Sequence, residues 1–272
     1  MLEKLKYKNH VNEMFDFGKN GIFVDMNDLH DYEWSVTKRG NKISALEHAI
    51  SKRKLPVTIV CKTEAEGIAA RNKLLEITEK DVLAMQHGRV IVGDYYFKCF
   101  VTKSQKSNYL INKRYMTLTL TLTSDYPYWV KESVTAYRKE TEGVGGLDYA
   151  FDYPYDYVSE LTGTDLNNSG FMPSNFRMII YGACINPAVN INGHTYQVYC
   201  QVGADEYLTI DSTTKKIYLT TNDGTVINKF NDRNKASYIF EKVPSGKNTV
   251  SWQGSFGVEI ILLEERSEPK WT

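Results

Sequence analysis

The chain has 272 residues, 42% of them hydrophobic, with 33 basic and 33 acidic side chains and a formal net charge of zero. That length holds one large or two ordinary domains, each able to bury a core. Balanced charge gives no electrostatic reason to track nucleic acid or an anionic membrane, and no apolar run is long enough to span a bilayer.

The N-terminal Met1-Leu2-Glu3-Lys4 has no apolar segment behind it, which argues against a secretory signal and for synthesis in a cytoplasm. Cys61, Cys99, Cys184 and Cys200 form no C-x-x-C pair and read as buried thiols. Nineteen tyrosines is a high count for such a chain, and Tyr suits half-buried pleated surfaces and interfaces.

In chain order, Phe15-Asp16-Phe17 reads as a short strand before a turn, and Tyr32–Lys38 and Leu55–Lys62 read as strands. A helix follows. Thr63 and Glu66 have capping-box spacing, and Ala65, Ile68, Ala69 and Leu75 predict one apolar face that fades around Thr78. Strands are expected again at Val82–Gln86, Arg89–Val92 and Tyr95–Lys103, with a turn at His87-Gly88. Ser104–Lys113 is polar and reads as the tip of a long hairpin. Arg114–Thr123 alternates strictly, Met116, Leu118, Leu120 and Leu122 against Thr117, Thr119, Thr121 and Thr123, which predicts a strand with one buried side.

Residues 124–175 hold Pro127, Gly143, Gly145, Gly146, Pro154, Gly163, Gly170 and Pro173, a density of breakers that predicts a linker. Inside it, Tyr149, Phe151, Tyr153, Tyr155 and Tyr157 fall on every second position, a ladder read as pinning the linker to its flanks rather than as exposed sugar platforms. Beyond it, Phe176–Tyr181, His194–Gln201, Glu206–Asp211, Lys216–Thr220, Ser237–Glu241, Thr249–Trp252 and Val258–Leu263 are short strand candidates between turn signals. That pattern predicts a β-sandwich. The fold class is therefore mainly β with one α-helix: an N-terminal domain over residues 1–130, a Gly/Pro/aromatic linker over 131–175 and a sandwich over 176–272.

Signals of chemistry are sparse. The chain has no G-x-S-x-G elbow, Walker loop or H-E-x-x-H. His10, His30, His48, His87 and His194 are scattered without metal-ligand spacing and read as solvated. Gly143-Val144-Gly145-Gly146 neither follows a clear strand nor opens a helix, and Asp148, Asp152 and Asp156 lack the Gly and closing Glu of a calcium loop. No catalytic, cofactor-binding or metal residue is expected, and no ligand-binding residue is singled out. Trp129 and Trp252 read as core or interface residues.

Several segments resemble a known family. Phe15-Asp16-Phe17-Gly18, Gly21-Ile22-Phe23 and Asp28-Leu29-His30-Asp31-Tyr32-Glu33-Trp34 are similar to the N-terminus of siphophage distal tail proteins (Dit). So is Leu118-Thr119-Leu120-Thr121-Leu122 running into Asp125-Tyr126-Pro127-Tyr128-Trp129. Phe151–Tyr157 resembles that family's interdomain join. Glu206–Asp211, Lys216, Pro244-Ser245-Gly246-Lys247-Asn248 and Trp271 resemble its C-terminal domain.

The resemblance implies a non-enzymatic structural protein of a virion tail tip or baseplate. Its N-terminal domain would form a hexameric ring joining the tail tube to a tail-associated tip protein. Its C-terminal sandwich, galectin-like, would anchor receptor-binding proteins for host attachment. Ring contacts are expected from the Thr face of the Arg114–Thr123 strand and from the Ser104–Lys113 hairpin. The alternative is a carbohydrate-binding module for host cell-wall sugars. A wall hydrolase ranks behind both, since no acid–base pair is recognisable.

Overall fold

A strand with one apolar face is stable only where a second surface covers that face. In this computed structural model, which describes residues 5–19, 21–107, 113–139 and 165–271, two compact units provide such cover separately. One comprises the chain up to Lys131 together with the residues from Glu265 on, and the other is Glu132–Glu264.

The first unit contains β1 (Leu5–Lys8), β2 (Met14–Phe17), β3 (Ile22–Val24), β4 (Ser35–Arg39), β5 (Lys42–Glu47), β6 (Ser51–Val60), α1 (Glu64–Ala84), β7 (Gly88–Val92), β8 (Tyr95–Ser107), β9 (Tyr115–Ser124) and the start of β10 (Trp129–Tyr137). All strand pairs are antiparallel. One series runs β2-β1-β7-β8 and a second runs β3-β6-β9-β8. The long β8 serves both: its first residues pair with β7, its later ones with β9. A register shift between Val101 and Lys103 lies just past the changeover, as expected of a bulge that bends a strand.

On β9 the alternation holds: Met116, Leu118, Leu120 and Leu122 are buried, and the intervening threonines are half-buried. Trp129 is fully buried beside Phe97, ring centroids 5.4 Å apart, and its indole N–H donates to the Leu29 carbonyl at 3.2 Å. The buried Arg53 guanidinium donates to the same carbonyl and lies 4.3 Å from the Phe97 ring centre.

Helix α1 starts where its cap predicts. The Glu66 N–H donates to Thr63 Oγ1 at 3.2 Å, and the Glu66 carboxylate accepts from the Thr63 N–H at 3.1 Å. Two expectations fail. The helix does not fade at Thr78 but runs to Ala84 and closes on a left-handed Met85, so Val82–Gln86 is not a strand. Nor do Ala65, Ile68, Ala69 and Leu75 face the core: the buried residues are Gly67, Leu74, Ile77, Thr78 and Asp81.

Long-range polar contacts set this rotation. The fully buried Asp81 carboxylate accepts from the Tyr7 hydroxyl at 2.6 Å and from the His10 backbone N–H at 2.8 Å. A Cβ at Gly67 would overlap the Lys113 carbonyl, and one at Gly88 would overlap both Asp81 and the Tyr7 hydroxyl. Gly88, expected in a turn, opens β7 against this network.

The second unit contains the rest of β10, then β11 (Asp165–Asn168), β12 (Asn175–Tyr181), β13 (Cys184–Ile185), β14 (Ala188–Ile191), β15 (His194–Gln197), β16 (Gln201–Val202), β17 (Tyr207–Asp211), β18 (Lys216–Thr220), β19 (Val226–Asn228), β20 (Gly246–Trp252) and β21 (Gly257–Arg266). Strands β19-β18-β17-β12-β21-β10 form one antiparallel sheet and β11-β20-β14-β15 another. Phe176, Met178, Ile180, Leu208, Ile210 and Ile260 from the first sheet share one core with Leu166, Val189, Ile191, Tyr196 and Val250 from the second. Two sheets around one core make the expected sandwich.

Two readings need correction here. The stretch 131–175, read as linker, carries most of β10 and all of β11; Trp129–Tyr137 contains no Gly or Pro, and its neighbours' breakers masked it. Ser237–Glu241 is not a strand but a turn, which buries Ile239 and Phe240. Trp252 is half-buried and donates to the Phe256 carbonyl at 3.0 Å. The Tyr149–Tyr157 ladder, Gly143–Gly146 and Asp148, Asp152 and Asp156 lie outside the described residues.

Candidate functional site

The histidines are not solvated as expected; all five are half-buried and engaged. His10 Nδ1 lies 2.6 Å from the Asp81 carboxylate, and His87 Nε2 lies 2.7 Å from Asp125. His48 Nδ1 contacts the Glu33 carbonyl at 3.0 Å under the Trp34 ring, His194 meets the Tyr238 carbonyl at 2.9 Å, and His30 stacks on Trp271 at 4.3 Å. Partners so far apart in the chain leave no local pattern to read.

His10 and His87 open onto one half-enclosed cleft of about 390 Å³, lined also by Lys8, Asn9, Asn12, Met85, Gln86, Arg89 and Lys98. An imidazole held by a buried carboxylate is one part of a nucleophilic triad, but the lining offers no Ser, Thr or Cys for it to activate. Its basic groups instead stand beside the C-terminal end of α1, where cations complement exposed carbonyls.

Among the described residues no three His, Cys, Asp or Glu side chains group as metal ligands. Cys99 and Cys200 are buried, and Cys61 and Cys184 half-buried. Burial pushes the Cys99 thiol up to about 12 and the Cys184 thiol up to about 11, far from the thiolate a nucleophile needs. No helix among the described residues is long and apolar enough to cross a membrane.

What the first unit does present is uncovered apolar surface. Strands β4 and β5 pair only with each other among the described residues. Val36 stands opposite Leu46 and Lys38 opposite Ile43, because a register shift between Thr37 and Lys38 absorbs one residue of β5. Val36, Ile43 and Leu46 therefore share one side, and they are 48%, 62% and 53% exposed. At the hairpin's base, the rings of Trp34 and His48 contact at 3.9 Å, and His48 meets Tyr128 edge-on at 4.9 Å.

A second such surface is the outward side of α1, where Ile68, Leu75, Val82 and Leu83 are exposed. Of the contacts expected from sequence, the Thr side of β9 is tied to β8 by hydroxyl pairs, Thr102 with Thr123 at 2.6 Å and Ser107 with Thr117 at 2.7 Å. Within Ser104–Lys113, Ser104 is half-buried, Gln105, Lys106, Ser107 and Lys113 are exposed, and residues 108–112 lie outside the described residues.

No protein-family profile and no curated protein matches the sequence. Solved structures do. A chain of the phage P2 baseplate in its activated conformation with calcium matches 99% of this chain and 100% of its own, at 11% identity and a TM-score of 0.65. Its strontium counterpart matches over the same shares at 10% identity and a TM-score of 0.65. The Dit protein of SPP1, described as a paradigm of the hub adsorption apparatus in phages infecting Gram-positive bacteria, matches 98% of this chain and 100% of its own, at 9% identity and a TM-score of 0.59. From end to end, the chain has the fold of these phage baseplate and Dit hub proteins.

Proposed function

We propose that the chain is a non-enzymatic structural subunit of a phage tail tip. Its first unit forms a hexameric ring that joins the tail tube to a tail-associated tip protein, and its sandwich holds receptor-binding proteins for host attachment. The protein acts in the virion, at the tail tip, after synthesis in the host cytoplasm. The observation that carries this reading is the end-to-end match to baseplate and hub chains, both units included. The uncovered apolar hairpin and helix face are what a subunit awaiting neighbours would expose. Light scattering on the purified chain and negative-stain images test it. Rings of six are expected, and a monomer persisting at high concentration would overturn the reading.

A second reading, binding of wall sugars by the sandwich, draws on the exposed Tyr238, which adjoins Phe240 and the Lys215 ammonium. An aromatic face beside a polar group suits a sugar ring. Binding to purified host walls that survives Tyr238→Ala would count against this site.

A further inference from the structure

Antiparallel strands in register bring opposite residues onto one side of a sheet, close enough for their side chains to interact. Across β1, β7 and β8, Tyr7, Val90 and Phe97 form one such row, and all are buried on the core side. The next row, on the other side, is Lys8, Arg89 and Lys98. It places these cations side by side over roughly 10 Å, two inter-strand spacings. Like charges directly opposite one another destabilise a sheet, so the row works against the strands that carry it.

The same three cations line the cleft of about 390 Å³. His10, two residues past Lys8, and His87, two before Arg89, line it too, beyond the same end of β1 and β7. No Asp or Glu is in its wall among the described residues. The carboxylate of Asp81 is engaged instead with Tyr7 and His10, and that of Asp125 with His87. The C-terminal end of α1 contributes Met85 and about half a negative charge, too little to balance the row. Aromatic faces hold two of the cations in place. The Arg89 guanidinium lies 4.7 Å from the Tyr96 ring centre and the Lys98 ammonium 5.5 Å from that of Tyr126.

We infer that this cleft binds a phosphate group. A phosphate monoester near neutral pH carries about −1.5 to −2 charges and several acceptor oxygens, so it can face more than one cation at once. A single carboxylate brings one charge. Arg89, central in the row, presents a fork that matches two oxygens, and Lys8 and Lys98 flank it as point charges. The cleft is in the size range of small-molecule pockets, about 300–1,000 Å³, which leaves room for the remainder of an ester. The site is independent of the ring reading, and neither stands or falls with the other.

Calorimetric titration of the full chain at constant ionic strength tests it, with inorganic phosphate, glucose 6-phosphate and acetate as probes. Saturable binding of a phosphate is expected. Arg89→Gln, and Lys8→Gln with Lys98→Gln, should each weaken it about tenfold or more, the scale of a lost charge-assisted contact. Glucose 6-phosphate binding at least as tightly as inorganic phosphate identifies the ligand as a phosphate ester, and the reverse order identifies the free ion. Acetate binding as tightly as either would overturn the assignment to a phosphate.

Thermal melts of the same proteins supply a second readout. Phosphate should raise the wild-type melting temperature by about 2 °C or more and leave the Lys8→Gln, Lys98→Gln variant no better off than an equal ionic strength of sodium chloride does. Without phosphate that variant should melt at or above the wild type, because opposed like charges have been removed. A variant melting several degrees lower in buffer alone would show that the cations serve the fold and overturn the inference. So would the absence of saturable binding, or binding that survives both sets of substitutions.

Discussion

Strand β9 and the β4–β5 hairpin each gather apolar side chains on one side, and the two sides have opposite fates. On β9 the apolar side, Met116, Leu118, Leu120 and Leu122, is buried in the core of the first unit. On β4–β5 the apolar side, Val36, Ile43 and Leu46, stays in water. Periodicity thus records which side of a strand is to be covered, and says nothing of whether the cover comes from the same chain. Neighbours in space decide that: β9 lies between β6 and β8, while β4 and β5 have only each other among the described residues.

The largest effect should come from removing cover on the buried side. Leu122→Ala deletes a fully buried side chain and should lower the free energy of unfolding by about 2–5 kcal/mol, since a core cavity adds to the lost transfer energy. Thr121→Ala, on the half-buried side of the same strand, should cost far less. Urea unfolding of the two variants measures the contrast. Equal losses would mean that the two sides of β9 are equally covered, and the distinction from the hairpin would collapse.

Next in size is the polar network that turns α1. Asp81→Ala leaves the Tyr7 hydroxyl and the His10 N–H without their acceptor inside the core, which should cost about 3 kcal/mol. Gly88→Ala pushes a methyl into the same site and should also destabilise. Thermal melts of both variants check this. A wild-type melting temperature for Asp81→Ala would show that apolar packing alone orients the helix.

These contacts explain what the sequence made legible and what it did not. The capping box and the β9 alternation are local patterns, and both predicted structure correctly. The rotation of α1 is not local: it depends on a Tyr–Asp pair 74 residues apart, which no window over the helix contains. The apolar residues Ile68 and Leu75 were therefore assigned inward by default, when polar Asp81 claims that side. Strand β10 disappeared into an average over Gly- and Pro-rich neighbours. The hairpin's apolar side was hidden because its bulge breaks the period of two, and the histidines' partners lie far off along the chain. The silence about catalysis came easily from the sequence, and the structure adds only that the His10–His87 cleft lacks a nucleophile in its lining.

Burial also separates the thiols. Cys99, enclosed in the first core, is held as the thiol up to about pH 12 by desolvation. In the unfolded chain it would ionise at the ordinary thiol value, so its folded pKa is the higher one. The protonated thiol's contribution to stability is therefore complete below the ordinary value and is lost as pH rises from there toward 12. Wild type should lose more stability between pH 8 and pH 10 than Cys99→Ala does. At pH 8 a thiol reagent should reach half-buried Cys61 well before Cys99. Labelling followed by peptide mass mapping reads the order, and early modification of Cys99 would show the first core to be open.

The smallest effect is also the most diagnostic. Leu46→Ala removes as many carbons as Leu122→Ala, yet Leu46 is half exposed and belongs to no core cluster among the described residues. Under dilute conditions that keep the chain monomeric, its unfolding free energy should change by no more than about 0.5 kcal/mol, the usual range for surface positions. At concentrations where the chain assembles, the same variant should separate from wild type, because stability then includes the contacts between copies and becomes concentration-dependent. A loss of 2 kcal/mol or more in the dilute monomer, on the scale of core deletions, would mean that the hairpin is covered by its own chain in solution. Its exposed side would then be a part of the core and not a surface for a neighbour. A variant indistinguishable from wild type at every concentration would leave the Val36–Ile43–Leu46 side without a partner of its own kind. Only a difference that emerges with concentration fits two apolar sides, one covered within the chain and the other covered by a neighbour.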